Sequence, residues 1–351
     1  MTLSVKIKKR LGKFLLDVNI ECGDESLAIL GASGSGKSMT LKCIAGIEHP
    51  DEGEIVLNGR TLFDSENKIN VPPRDRNVGI LFQSYALFPN MTVEKNIAAG
   101  IRKGDIGTTD YIKMFRLEGL EKMYPRQLSG GQQQRVASAR MLASDPEIVM
   151  LDEPFSALDS HLRWKLEAEI TEHLTTFGKT SILVSHNRDE AYRMCEKIAV
   201  IDSGRCVGSM DKKRLFDDPR TVSAATMSGC KNIMRVTKTS EHEVFVKDWN
   251  AGLLTAPQVP DGTGYVGIRS HMISLNGTDN NIECTVRKVI ESPFEHTLML
   301  TVNGSSSDEE GSFDGKSVLY VDIDKFEDIE VPVKGEVCNI SIPRDKVLPL
   351  V

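Results

Sequence analysis

Residues Gly31-Ala32-Ser33-Gly34-Ser35-Gly36-Lys37-Ser38 fit the pattern G-x-x-x-x-G-K-[S/T], and they follow the apolar run Leu27-Ala28-Ile29-Leu30 directly. A short buried strand ends there, and the glycines let the backbone curl. Successive N–H groups then face a polyphosphate at the start of a helix expected over residues 39–45. A Gly/Ser-rich turn alone would merely cap that helix; the strand before and the helix after point to a phosphate cradle. Gly31, Ser33, Gly34, Ser35, Gly36 and Met39 are expected to line the phosphates, with Lys37 reaching the β- and γ-phosphates. Ser38 offers its hydroxyl to Mg²⁺, a hard cation that takes oxygen ligands and keeps several waters.

At 351 residues the chain exceeds one ordinary domain and suits a large domain followed by a smaller one. The first part alternates short apolar runs at 27–30, 78–82, 148–151, 181–185 and 198–201 with helical stretches, which predicts an α/β domain over 1–229, a mainly parallel sheet covered by helices. Beyond residue 230 the runs at 244–247, 265–268, 284–289, 297–302, 318–323 and 337–342 are separated by Gly, Asn and Asp turns. That pattern predicts a small all-β, barrel-like domain over 230–351. The polar segment 305–311 is read as a loop without a function of its own.

Seven cysteines lie far apart, with no C-x-x-C and no zinc-type His/Cys spacing, so they are read as reduced thiols. The basic N-terminus lacks the apolar core of a signal peptide, and no run approaches the ~20 apolar residues that span a bilayer. A soluble protein able to dock on a membrane protein is expected. A net charge of −7 argues against a broad nucleic-acid surface.

The run Ile148-Val149-Met150-Leu151 ends in Asp152-Glu153-Pro154. In the same sheet as the glycine loop, it delivers Asp152 beside Mg²⁺ and Glu153 toward the γ-phosphate, where a carboxylate orients or activates water. Alone, the two acids would read as a helix cap. Between these strands lies Leu128-Ser129-Gly130-Gly131-Gln132-Gln133-Gln134-Arg135. Ser129 and the N–H groups of Gly130 and Gly131 open a helix toward Leu142, which makes a second anion site with a helix dipole behind it.

This segment resembles the signature sequence of ATP-binding cassette (ABC) ATPases, and Gln83, Ser156-Ala157-Leu158-Asp159 and His186 fall in that family's order around it. The resemblance implies ATP and Mg²⁺ as cofactors. It further implies a homodimer in which each nucleotide lies between residues 31–38 of one cassette and 128–132 of the other, Gln132 included. It casts Glu153 as the water-handling acid, His186 as the switch histidine on the γ-phosphate, and Gln83 as the γ-phosphate sensor and a metal contact beside Ser38 and Asp152. Asp159 would speak across the dimer, and a helical subdomain would cover about 84–144. Relatives often stack an aromatic ring on adenine after the first strand; here Phe14 is open to that role or to core packing. Tyr85, Phe88 and Met91 are likewise open to lining a docking groove or to packing locally.

A single cassette with a β-rich tail resembles the ATPase subunits of importers, which sit peripherally on the cytoplasmic face of the cell membrane against integral-membrane permease subunits. An extracytoplasmic substrate-binding protein takes part indirectly. The segment 82–89 matches that group around the glutamine. The tail segments 264–271 and 284–294 are similar to the accessory oligonucleotide-fold-like domain of molybdate, sulfate, iron or sugar importer ATPases. Residues 226–233 are most similar to molybdate/sulfate-type members. The implied function is ATP-driven oxyanion import, molybdate or tungstate ahead of sulfate, with a sugar or ferric-ion importer as the alternative and a non-transport regulatory ATPase as a third class. Arg269, Ser270, His271 and Lys288 are candidates for binding an anion in the tail, which could equally serve only for dimerisation.

Overall fold

Strands β1 (Leu3–Leu11) and β2 (Phe14–Cys22) alternate strictly, burying Leu3, Val5 and Ile7 on one and Leu16, Val18, Ile20 and Cys22 on the other. Leu11 pairs with Phe14, so two residues make the turn, and Gly12 supplies its positive φ of 62°. The computed structural model describes residues 2–102, 106–156, 160–304 and 318–351. The first unit continues with β3 (Leu27–Leu30), β4 (Glu52–Leu57), β5 (Arg60–Asp64), β6 (Ile69–Asn70), β7 (Val78–Leu81), β8 (Ile148–Asp152), β9 (Thr180–Ser185), β10 (Lys197–Asp202) and β11 (Arg205–Asp211). Its helices are α1 (Lys37–Ala45), α2 (Val93–Ala98), α3 (Thr108–Met114), α4 (Gly130–Leu142), α5 (Ser160–Thr176) and α6 (Arg188–Met194).

These strands form one sheet in the order β6-β5-β4-β1-β2-β11-β10-β3-β9-β8-β7. The five strands expected from the sequence lie together as β10-β3-β9-β8-β7 and are all parallel. β3 and β8 are buried along their whole length, as strands covered on both faces must be. An antiparallel half built on β1, β2, β4, β5 and β6 completes the sheet, which is therefore mixed. Its short hairpin connections leave no room for the crossover helices that parallel pairing needs.

The chain divides into two compact units, Met1–Lys212 and Lys213–Val351, so the boundary expected at 229/230 falls inside the second. The reason is local: helix α8 (Val222–Met227), which follows α7 (Lys212–Asp217), buries Ala225 with Cys230 and Leu350. The second unit holds β12 (Asn232–Ser240), β13 (Glu243–Val246), β14 (Ala251–Leu254), β15 (Tyr265–Ile268), β16 (Ile282–Glu291), β17 (Glu295–Val302), β18 (Val318–Asp324), β19 (Val337–Ile340) and β20 (Leu348–Leu350). Two antiparallel sheets, β14-β13-β12-β15-β20 and β18-β17-β16-β19, enclose one core that includes Val244, Trp249, Val266, Leu298, Leu300 and Val321.

One buried cation sets the far end of α1. Arg76, fully buried, donates from Nη1 to the carbonyls of Cys43 and Ile44, both at 2.8 Å, from Nε to Val71 O at 2.8 Å and from Nη2 to Asn70 Oδ1 at 2.9 Å. It thereby satisfies carbonyls that a helix C-terminus leaves without partners and complements the helix dipole. Gly46 closes the helix at φ 76°, and a Cβ there would stand 2.5 Å from Arg76 Nε. Gly46→Ala should therefore lower unfolding stability by about 2 kcal/mol, through left-handed strain and displacement of the guanidinium. Urea denaturation with an unchanged m-value is the expected readout.

Candidate nucleotide-binding site

The loop between β3 and α1 is tight enough to need its glycines. A Cβ on Gly31 would lie 2.2 Å from the carbonyl oxygen of Ile201 and 2.6 Å from Ser35 Oγ. Gly36, at φ 108°, caps α1 and would meet Leu16 at 2.5 Å. Lys37 is buried and donates from Nζ to the carbonyls of Gly31 at 2.8 Å and Ala32 at 2.9 Å. Burial pulls its pKa down, while the carboxylates of Glu153 and Asp152 push the other way.

Ser38 donates to Asp152 Oδ1 at 2.7 Å, joining α1 to the end of β8. Asp152 is buried, and burial raises its pKa against the lowering effect of the Ser38 hydrogen bond. Glu153 adopts φ 45°, a left-handed backbone that costs a non-glycine residue about 1–3 kcal/mol. Its N–H donates to Val184 O at 2.9 Å and its carbonyl accepts from Ser156 N at 3.2 Å and Ser156 Oγ at 3.0 Å. Gln83 Nε2 donates to the same Ser156 Oγ at 3.0 Å, and His186 Nδ1 lies 3.3 Å from Glu153 Oε2. Gln83, Ser156, Glu153 and His186 thus form one connected set. Ser156 is the member that sequence reasoning did not assign; its signal lay in the Ser156–Asp159 segment. Asp159 itself lies outside the described residues.

A cleft of about 500 Å³ opens over these groups, lined by Ser33, Gly34, Gly36, Lys37, Ser38 and Met39 on the loop side, by Gln83 and Glu153 opposite, and by Leu11 and Phe14 at one end. Phe14 packs on the core and also lines the cleft, its ring 3.4 Å from where a Cβ on Gly36 would stand. Leu11, 38% exposed, joins it there. A larger groove of about 670 Å³ crosses the outer face of β1, β2 and β4, where Lys8 stands opposite Asp17 and Glu52. It is a solvated sheet face without a glycine-loop cradle.

Ser129 and Gln132 are not part of this cleft's lining. Ser129 caps α4: its Oγ accepts from Gln132 N at 3.3 Å while Gln132 Oε1 accepts from Ser129 N at 2.8 Å. Ser129 and Gly130 are exposed, and Gly131 and Gln132 half-buried. Within a single chain, then, the first turn of α4 faces solvent. Tyr85 is buried, whereas Phe88 and Met91 are exposed, which separates the three aromatic and thioether candidates. In the second unit, Arg269 donates to Ser228 O at 2.8 Å and to Phe216 O, and Ser270 donates to the Asp322 carboxylate, which also takes Lys231 and Thr297. The hydrogen bonds of these two residues lie within the unit's own framework, Arg269 on backbone carbonyls and Ser270 on a carboxylate.

A phosphate-binding loop facing a strand that ends in two acids defines a nucleotide-hydrolysing cassette. The ABC transporter family model matches residues 16–156. The sulfate/thiosulfate import ATP-binding protein CysA 2 of Agrobacterium fabrum is 32% identical over 347 residues, 95% of this chain and 94% of that protein. The spermidine/putrescine import ATP-binding protein PotA of Methylococcus capsulatus is 42% identical over 234 residues, 64% of this chain; the match spans 59% of that protein's length. A solved dimeric, post-hydrolysis state of the ATP-binding cassette MJ0796, bound to ADP and Pi, is 29% identical with a TM-score of 0.51, covering 60% of this chain and 99% of that one. The chain belongs to the ABC transporter family and is an ATPase of its cassette type.

Because Asp152 has a raised pKa, its ionised form costs the fold stability at every pH above the window between the unfolded and folded values, and the cost fades as pH falls through that window. Asp152→Asn should therefore stabilise the nucleotide-free protein at pH 7 by on the order of 1 kcal/mol, read as a higher thermal midpoint, with Mg-ATP turnover lost.

Proposed function

We propose that this chain is the ATP-hydrolysing, energy-coupling subunit of an importer for an oxyanion. The observation that carries the cargo class is the reach of the likeness: the PotA match covers 64% of the chain, whereas the match to a protein named for sulfate/thiosulfate import covers 95%, tail included. Within the oxyanions, sulfate has the support of that relative, and the 226–233 segment keeps molybdate and tungstate as the other candidates.

Lys37 and the loop N–H groups would bind the β- and γ-phosphates, with Leu11 and Phe14 offering an apolar wall to the purine. Ser38 and Asp152, oxygen donors already side by side, suit a hard cation, and Gln83 would add a third oxygen. Mg²⁺ bound there would neutralise phosphate charge. Glu153 would take a proton from, or orient, the attacking water, with His186 on the γ-phosphate. The solvent-facing first turn of α4 supports head-to-tail pairing, in which Ser129 to Gln132 of one cassette close the nucleotide site of its partner. ATP then favours the closed pair because it contacts both chains only there, and hydrolysis releases it.

No helix among the described residues is long and apolar enough to cross a membrane. Work on a cargo would pass to separate permease subunits fed by an extracytoplasmic binding protein, with this chain on the cytoplasmic face. The exposed side chains of Phe88 and Met91 are the docking candidates for a permease segment, Tyr85 being core.

Glu153→Gln should retain ATP binding, accumulate an ATP-bound dimer in size-exclusion chromatography and lower phosphate release at least about 100-fold; near-normal turnover would remove Glu153 from this role. For the cargo, cells lacking this gene should lose uptake of labelled sulfate or molybdate and keep that of spermidine and ferric ion. The opposite pattern would assign the subunit to one of those importers.

A further inference from the structure

Two residues beyond Gln83 the backbone enters an unusual conformation. Tyr85 and Ala86 are consecutive non-glycine residues at φ 58° and 44°, each in the left-handed region. Such strain persists only where neighbouring groups hold it, and here the holding groups are identifiable. Arg140 Nη2 donates to the carbonyls of both strained residues, Tyr85 at 3.2 Å and Ala86 at 2.9 Å, and its guanidinium lies 4.9 Å from the centre of the Phe88 ring. Arg140 Nη1 reaches Asn96 Oδ1 at 3.4 Å. Asn96, fully buried, accepts from Phe88 N at 2.9 Å and donates to the carbonyls of Phe88, Met91 and Thr92 at 3.0–3.2 Å.

Arg140 makes no salt bridge to a carboxylate among the described residues, and burial lowers its pKa. A guanidinium kept in such a place for surface solubility would gain nothing there; instead Nη2 serves both kinked carbonyls while Nη1 reaches Asn96, a spread of donors that one ammonium nitrogen does not offer. It also stands in the last turn of α4, about 15 Å along the helix axis from Gly130.

We propose that Arg140 is a positioning residue for Gln83: by holding the Tyr85 and Ala86 carbonyls in the kink, it ties the Gln83 loop to the far end of the helix whose first turn is the second anion site. A displacement of α4 when its first turn engages a phosphate is then delivered to Gln83 and, through Ser156, to the Glu153 loop. This rests on the ATPase reading above and adds how its two phosphate sites communicate.

The test compares the full-length parental protein with Arg140→Lys, Ala86→Val and the double variant Arg140→Lys/Ala86→Gly, by ATP calorimetry, Mg-ATP turnover and thermal midpoint. Lysine keeps the charge and loses the fork, so kcat should fall about tenfold with KM and ATP affinity near parental values. Ala86→Val, an exposed change that makes the left-handed backbone costlier, should do the same in a folded protein even where Arg140→Lys yields none. Glycine at 86 adopts the kink without strain and should restore most of the rate in the double variant. A merely structural Arg140 would lower the midpoint and ATP affinity together with turnover, and glycine would not rescue it. Parental kcat in Arg140→Lys or Ala86→Val, or a double variant without recovery, overturns the positioning role alone. A parental protein that hydrolyses no ATP overturns the proposed function itself.

Discussion

The buried ammonium of Lys37 must find partners, and the first unit is arranged to supply them. Two neutral carbonyls of its own loop, Gly31 and Ala32, take its hydrogen bonds, and the opposite charge comes from Asp152 and Glu153 at the end of β8. Two neutral acceptors do not by themselves offset the cost of burying a full charge, and the nearby carboxylates make up only part of the remainder, since burial still holds the Lys37 pKa down. Their nearness follows from the place of β8, two strands from β3 in the same parallel run, where Ser38 closes directly on Asp152. A polyphosphate entering the loop would add further negative charge beside the ammonium.

Three of the residues with left-handed backbone lie in the segments around this centre. Glu153, Tyr85 and Ala86 all carry left-handed backbone without being glycine, and each is held by named hydrogen bonds rather than by its own preference. Glycine would relax these positions, but Glu153 needs its carboxylate, and the kink after Gln83 is informative because it is held from outside. Gly36 and Gly46 show the contrary solution at the two ends of α1, where nothing but glycine fits. The phosphate-loop helix is thus bounded by steric necessity at both ends and braced by Arg76 at one.

The second unit follows a different logic. Its two antiparallel sheets share one apolar core, and the polar cluster of Lys231, Ser270, Thr297 and Asp322 satisfies a half-buried carboxylate within that frame. Asn232 adds a pair of hydrogen bonds to the backbone of Tyr320. Arg269 and Ser270, candidate anion donors when read along the chain, are already engaged once the strands have paired.

The amino-acid sequence by itself determined the phosphate loop, the acidic pair after β8, the five central strands and the β-rich tail, because each is a local pattern: glycine spacing, continuous apolar runs, or turns between alternating residues. It could not give the antiparallel half of the sheet its place beside the parallel half, nor assign α8 to the second unit, since both depend on which apolar faces meet across long separations. The joining of Gln83 to Glu153 through Ser156, the burial of Tyr85 beside exposed Phe88, and the clasp of Arg140 and Asn96 were decided only by the tertiary structure. Such contacts link residues tens of positions apart, and a side chain's partners are chosen by packing that no single stretch of sequence encodes.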